Sequence, residues 1–142
     1  MKNDVLVVQL VEALYWFDKA LQQRLRVKGW KAVSPRQSMI LANIADGEVR
    51  PSAIASKLGI SRQAMSQALS EMVDRGIVVL TDDPNDRRAK IICLTKEMEP
   101  MHHDTIEILG DLENILEEKL GKTRFKSFRE ALAINWRALP FE

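Results

Sequence analysis

Apolar residues in the first part of the chain recur at steps of three and four. Leu6, Leu10, Leu14, Phe17, Leu21 and Leu25 draw one stripe, which predicts a helix from about Asp4 to Lys28. Val7, Val11 and Tyr15 widen the stripe, and a face this broad suits contact with more than one neighbour. Gly29 ends the helix, and Trp30 to Val33 connect it to the next. Ser34-Pro35 opens a second helix: the hydroxyl caps free amides, and proline's missing N–H costs nothing at the first position. Met39, Ile40, Leu41 and Ile44 point inward along it, and Asp46-Gly47 stops it. Pro51 opens a third, short helix with Ile54, Ala55 and Leu58 toward the core, closed by Gly59.

The segment after Gly59 is the most informative. Ser61 is a good N-cap, and the pairs Ala64/Met65, Ala68/Leu69 and Met72/Val73 repeat every four residues as a buried face. Arg62, Gln63, Ser66, Gln67, Ser70, Glu71 and Asp74 fall on the opposite face. Two short helices joined by Gly59-Ile60-Ser61 have the form of a helix-turn-helix. Arginine, glutamine and serine at the start of the second helix can hydrogen-bond to base edges. The same residues also make an ordinary solvated face, so the helix alone does not decide. Behind it, Ile77–Leu80 and Ile91–Leu94 read as strands joined by a polar, turn-rich loop, Thr81 to Lys90. Such a hairpin, placed after a helix-turn-helix, is a wing, and arginine at its tip suits the negative potential of a minor groove.

At this point the stretch from Ser34 to Thr95 resembles the MarR family of bacterial regulators, the multiple-antibiotic-resistance type. The resemblance rests on Ile54-Ala55-Ser56-Lys57-Leu58-Gly59-Ile60-Ser61, Met72-Val73-Asp74-Arg75-Gly76-Ile77-Val78, Asp83-Pro84-Asn85-Asp86-Arg87-Arg88 and Leu94-Thr95. The most specific part is the wing's Asp-x-Arg followed by a strand ending in Leu-Thr. The resemblance implies that Arg88 enters the minor groove and that Asp86 holds it in position. It also implies that Gln63, Ser66 and Gln67 read the major groove, with Ser61 and Arg62 near phosphate or base, and Arg87 and Lys90 beside them in the wing. Two positions depart from the pattern. Asn85 stands where the family often has a basic residue. Lys96-Glu97-Met98-Glu99-Pro100 replaces the usual continuation, so the next helix is expected to start late or kinked, because Pro100 has no amide to donate.

A long helix follows from about Pro100 to Leu120, with Ile108, Leu109, Leu112, Ile115, Leu116 and Leu120 as its apolar positions. After Gly121, a last helix from Thr123 to Leu139 carries Phe125, Phe128, Leu132, Trp136 and Leu139 as a seam. The seam fits a partner chain or the same chain, and spacing does not separate the two. The resemblance implies interlocked terminal helices in a homodimer, with Leu6 and Leu10 joining the seam. The expected fold is mainly α with a small β-hairpin wing: a winged helix-turn-helix (34–95) flanked by dimerisation helices (1–33 and 96–142). Two-fold symmetry then predicts a pseudo-palindromic operator with half-sites about 10 bp apart or a multiple of that.

Charge adds little. The net charge is +1, but residues 50–90 hold seven bases against five acids, leaving −1 for the remainder, a weak bias toward a phosphate-facing side. One cysteine, Cys93, excludes an internal disulfide and agrees with a reducing, cytoplasmic setting. In an apolar strand it reads as a small buried hydrophobe, against the alternative of an oxidation sensor. Adjacent His102 and His103 point about 100° apart on a helix, which does not suit one shared metal ion. No metal, other cofactor or enzymatic activity is expected, and no membrane span or signal peptide. The resemblance further implies a small aromatic or phenolic effector, with Tyr15, Trp16, Trp30 and His103 as candidate lining. The competing class is a winged helix used only for protein interaction. Arg62, Arg87, Arg88 and Lys90 together argue against it.

Overall fold

The computed structural model describes residues 5–141. Six helices and one hairpin follow in order: α1 (Leu6–Val27), α2 (Pro35–Ala45), α3 (Pro51–Leu58), α4 (Arg62–Asp74), β1 (Val78–Asp83), β2 (Asp86–Leu94), a 3₁₀ turn (Lys96–Met98), α5 (Glu99–Leu120) and α6 (Lys122–Leu132). The expected start of the first helix at Asp4 lies outside the described residues. The architecture is mainly α with a two-stranded wing. No described helix is long and apolar enough to cross a membrane.

Local chemistry sets the helix boundaries. Ser34 forms a full capping box with Gln37: Ser34 Oγ accepts from the Gln37 amide at 3.1 Å, and Gln37 Oε1 accepts from the Ser34 amide at 3.1 Å. Ser61 Oγ accepts from the Ala64 amide at 3.0 Å, a cap contributing about 1 kcal/mol. Gly59 ends α3 with φ 64°, a left-handed turn that costs glycine least and sets the sharp angle into α4.

The described residues form two apolar cores. One joins α2, α3, α4 and the hairpin through Ile40, Ile54, Met65, Leu69, Met72, Val78 and Ile92. The other joins α1 to α5 through Leu21, Leu25, Met101, Ile108 and Leu112. Leu41 and Met98 pack against both, so the two cores meet at these two side chains.

Four expectations need correction. The ten-residue loop from Thr81 to Lys90 is not a loop: the strands run on to a turn at Pro84-Asn85, with Thr81 opposite Ile91 and Asp82 opposite Lys90. Polar side chains on a projecting two-stranded ribbon are solvated on both faces, which hides the strand from its pattern. The last helix ends at Leu132, so Trp136 and Leu139 lie beyond it. There, Asn135 Oδ1 accepts from the Arg137 amide at 3.0 Å, a local turn that competes with helix, and Pro140 disfavours helical geometry at Leu139. Helix α5 is not delayed, because Pro100 sits in its first turn, where an amide has no intrahelical partner. Val73 is exposed, at 39 %, rather than in the core.

Candidate nucleic-acid interface

Helix α4 presents its buried side, Met65, Ala68, Leu69 and Met72, to the lobe core, which fixes its rotation. Arg62, Gln63, Ser66, Gln67 and Ser70 are therefore all exposed on the outer side. Cap and burial together fix which polar side chains α4 turns outward. Its far end is tied to α2. Arg75 donates to Gln37 Oε1 at 3.3 Å and to the Ala32 carbonyl at 2.8 Å, and Gln37 Nε2 donates to Glu71 at 3.3 Å. Gln37 is buried, so one side chain caps α2 and also anchors α4.

The wing is built on a shifted register. Asp82 faces Lys90 while Asp83 faces Asp86, which leaves Arg87, Arg88 and Ala89 without opposite residues. A bulge of this kind re-aims side chains at a sheet's end. Arg87 and Arg88 are exposed, and among the described residues neither they nor Arg62 makes an ion pair. Asp86 Oδ1 accepts from the backbone amide of Arg88 at 3.0 Å, so Asp86 fixes the backbone under Arg88 rather than its guanidinium. Lys90 is paired with Asp82, which leaves it less free than the two arginines.

A residue outside the predicted contact set anchors the wing. Asp83 is 4 % exposed, accepts from the Asn85 amide at 2.9 Å and from Arg50 Nε at 3.1 Å, and so closes the turn and ties it to the start of α3. The Asn85 amide lowers the Asp83 pKa most; burial opposes it, and Arg50 lowers it further. Behind the wing, the Ile92 amide donates to the Val49 carbonyl at 2.8 Å, which adds a second tie between the hairpin and the α2–α3 connection. An Asp-Pro-Asn sequence is a turn signal and offered the clue.

The four aromatic and histidine candidates do not converge. Tyr15 is exposed, at 46 %, and Trp16 lies edge-on to Phe17 with Lys119 over its ring. Trp30 donates its indole N–H to Asp104 at 2.8 Å, and His103 is exposed. That indole bond is the main reason the Asp104 carboxyl sits below its ordinary pKa; burial opposes it and Lys28 assists. The cavity of interest lies elsewhere: about 150 Å³ between α1, α2 and α5, walled by Phe17, Leu21, Met39, Leu41, Met101 and Leu109, with Asp18, Gln22 and His102 among its polar members. Helical packing, not aromatic content, places it. Cys93 is half-buried beside Thr81 Oγ1, at 3.7 Å.

The seam residues divide. Leu6 and Leu10 are exposed on α1, whereas Phe125 is half-buried under Arg129, whose guanidinium lies 5.2 Å from the ring centroid. Phe128 and Leu132 border a shallow groove with Phe17 and Leu116 yet remain 38 % and 42 % exposed. Trp136 and Leu139 are both 61 % exposed.

A sequence profile of the MarR family matches residues 33–89. No curated protein sequence matches the chain. Among solved structures, CouR from Rhodococcus jostii RHA1 bound to p-coumaroyl-CoA is 23 % identical, with TM-score 0.69 over 91 % of this chain and 90 % of its own. A structure described as the transcriptional repressor CouR bound to a 23-mer DNA duplex gives 24 % identity and TM-score 0.70, over 92 % and 91 %. NadR in complex with 4-hydroxyphenylacetate gives 22 % and 0.72, over 94 % and 91 %. At these identities the structural likeness carries the fold.

Proposed function

Through residues 33–89 the chain belongs to the MarR family of transcription regulators, a family of DNA-binding proteins rather than enzymes, and on that premise we propose a sequence-specific repressor. In this reading it is cytoplasmic and acts as a homodimer on a pseudo-palindromic operator, released by a small aromatic or phenolic effector. The observation that carries the reading is the pairing of a capped, outward polar α4 with two unpaired arginines on a braced wing. Gln63, Ser66 and Gln67 read base edges in the major groove, where glutamine pairs with adenine and serine with either base type. Arg62 and Arg87 meet phosphate, and Arg88 enters the minor groove. Ser61, through its cap, and Asp86, through the Arg88 amide, hold these side chains in place.

The two terminal segments support dimerisation. Leu6, Val7, Leu14 and Trp136 are each exposed by more than 40 %, an apolar surface that supports a partner copy. CouR bound to a DNA duplex and NadR in complex with 4-hydroxyphenylacetate support the two halves of the proposal by analogy of fold. The cavity also has a route to the DNA-facing helix. Met39 and Leu41 of α2 line it, and α2 grips α4 through Gln37, Glu71 and Arg75. A ligand that favours one position of α2 therefore shifts α4 with it, and so favours one spacing of the two reading helices.

Selection of random duplex DNA on the purified protein at two salt concentrations tests the proposal. An enriched palindrome is expected. Enrichment of nothing, with binding lost at modest salt, leaves only phosphate contact and overturns it.

A further inference from the structure

Asp18 and Gln22, one turn apart on α1, are 7 % and 8 % exposed, and both border the cavity between α1, α2 and α5. Asp18 Oδ1 and Gln22 Nε2 have no hydrogen-bond partner among the described residues. Gln22 is held in place by its other end, since its Oε1 accepts from the Val33 amide at 3.3 Å. The amide N–H₂ is thus left as a fixed, unused donor. Two buried, unsatisfied polar atoms on residues that wall one largely apolar cavity are costly and call for a partner. Among the described residues no lysine or arginine lines the cavity; Asp18 is its one acidic side chain and His102 its one basic side chain.

We propose that this cavity takes a small organic cation: a single-ring arylalkylamine whose ammonium pairs with Asp18 and whose acceptor oxygen receives the Gln22 amide. The inference rests on the effector site proposed above and assigns its chemistry. A cavity of about 150 Å³ holds one ring. The aliphatic wall of Leu21, Met39, Leu41 and Leu109 supplies the apolar contact. The ammonium gives the carboxylate a charge-assisted partner. An aromatic carboxylate of the same size would instead bring a second anion beside Asp18 with no lysine or arginine to offset it, a like-charge contact that works against binding. The charge selectivity of this site is accordingly the reverse of one built for an aromatic acid.

Three isosteric probes separate the possibilities: tyramine, the neutral alcohol tyrosol, and 4-hydroxyphenylacetate. Calorimetry and thermal shift on the full chain are expected to show tyramine binding on the order of a hundredfold tighter than the acid, with tyrosol between. Asp18→Asn is expected to erase the preference of tyramine over tyrosol. It is also expected to raise the melting temperature of the free protein, because an unpaired buried carboxylate is gone. If Asp18→Asn fails to fold, the wild-type ranking still decides. Equal or tighter binding of 4-hydroxyphenylacetate overturns the charge assignment and leaves the effector site standing. Stabilisation by none of the three overturns both the assignment and the cavity as an effector site. The operator selection is read without any ligand, so the DNA-binding proposal is judged separately.

Discussion

Arg50 and Asp83 join the start of α3 to the wing across 33 positions of sequence, with the guanidinium Nε 3.1 Å from a carboxylate whose side chain is 2 % exposed. Because the partners sit on different elements, the pair holds the hairpin's angle to the helix-turn-helix. The Asn85 amide, and after it Arg50, keep the folded Asp83 pKa below its ordinary 3.8. A depressed carboxylate pKa means that the unfolded chain takes up the proton first as pH falls. The stabilisation is therefore present above 3.8 and is lost as pH drops through the still lower folded value. Asp83→Asn is expected to melt below wild type at neutral pH, with the gap closing toward pH 3. Melting curves that stay parallel across that range would remove Asp83 from the wing's support.

What was legible in the sequence was local or periodic. Ser34 and Ser61 cap their helices through bonds three residues long, so they are visible in a short window. Met65, Leu69 and Met72 reveal the rotation of α4 by period alone. The wing's length was not visible, since Thr81, Asp82, Arg87 and Arg88 carry no alternation when both faces meet solvent. Nor was the burial of Asp18 and Gln22. Each follows an apolar residue of the α1 stripe by one position, and only the packing of α2 and α5 against α1 closes over them. Tyr15, Trp16, Trp30 and His103 have side chains suited to an aromatic ligand, but which helix faces meet is a tertiary fact that their types do not encode.

Arg88 stands on the wing bulge with its backbone pinned by Asp86 and its side chain exposed. Arg88→Ala is expected to weaken binding to all duplexes, to lower the salt slope by about one, and to leave the melting temperature unchanged. Anisotropy titrations at several salt concentrations read all of this but the melting point. Equal affinity for the variant and wild type would take the wing out of the mechanism.

Gln67 is exposed on α4 beside a shallow groove that it shares with Ser34, Arg36 and Gln37. Gln67→Ala should cost about 1–3 kcal/mol on the selected operator, with relaxed preference at one base position per half-site. Binding measured on every single-base variant of that operator gives the comparison. A uniform loss across all variants would reassign Gln67 to phosphate contact.

The terminal helices carry a separate prediction, because their exposed apolar residues have no role in a monomer. Leu6 is 68 % exposed at the start of α1, and Leu132 is 42 % exposed at the end of α6. A stable interface buries at least about 1,000 Å² with an apolar centre, and a charge placed in that centre is left without a partner. Neither residue belongs to the core between α1 and α5. Leu6→Asp combined with Leu132→Asp is therefore expected to preserve the fold by circular dichroism while light scattering reports a monomer in place of a dimer. The same variant should bind a single half-site as wild-type protomers do, yet lose the added affinity that a correctly spaced second half-site gives a dimer. An unchanged dimeric mass would move the interface away from these helix ends. A monomer that still gains from the second half-site would show that the operator, rather than the terminal helices, brings the two copies together.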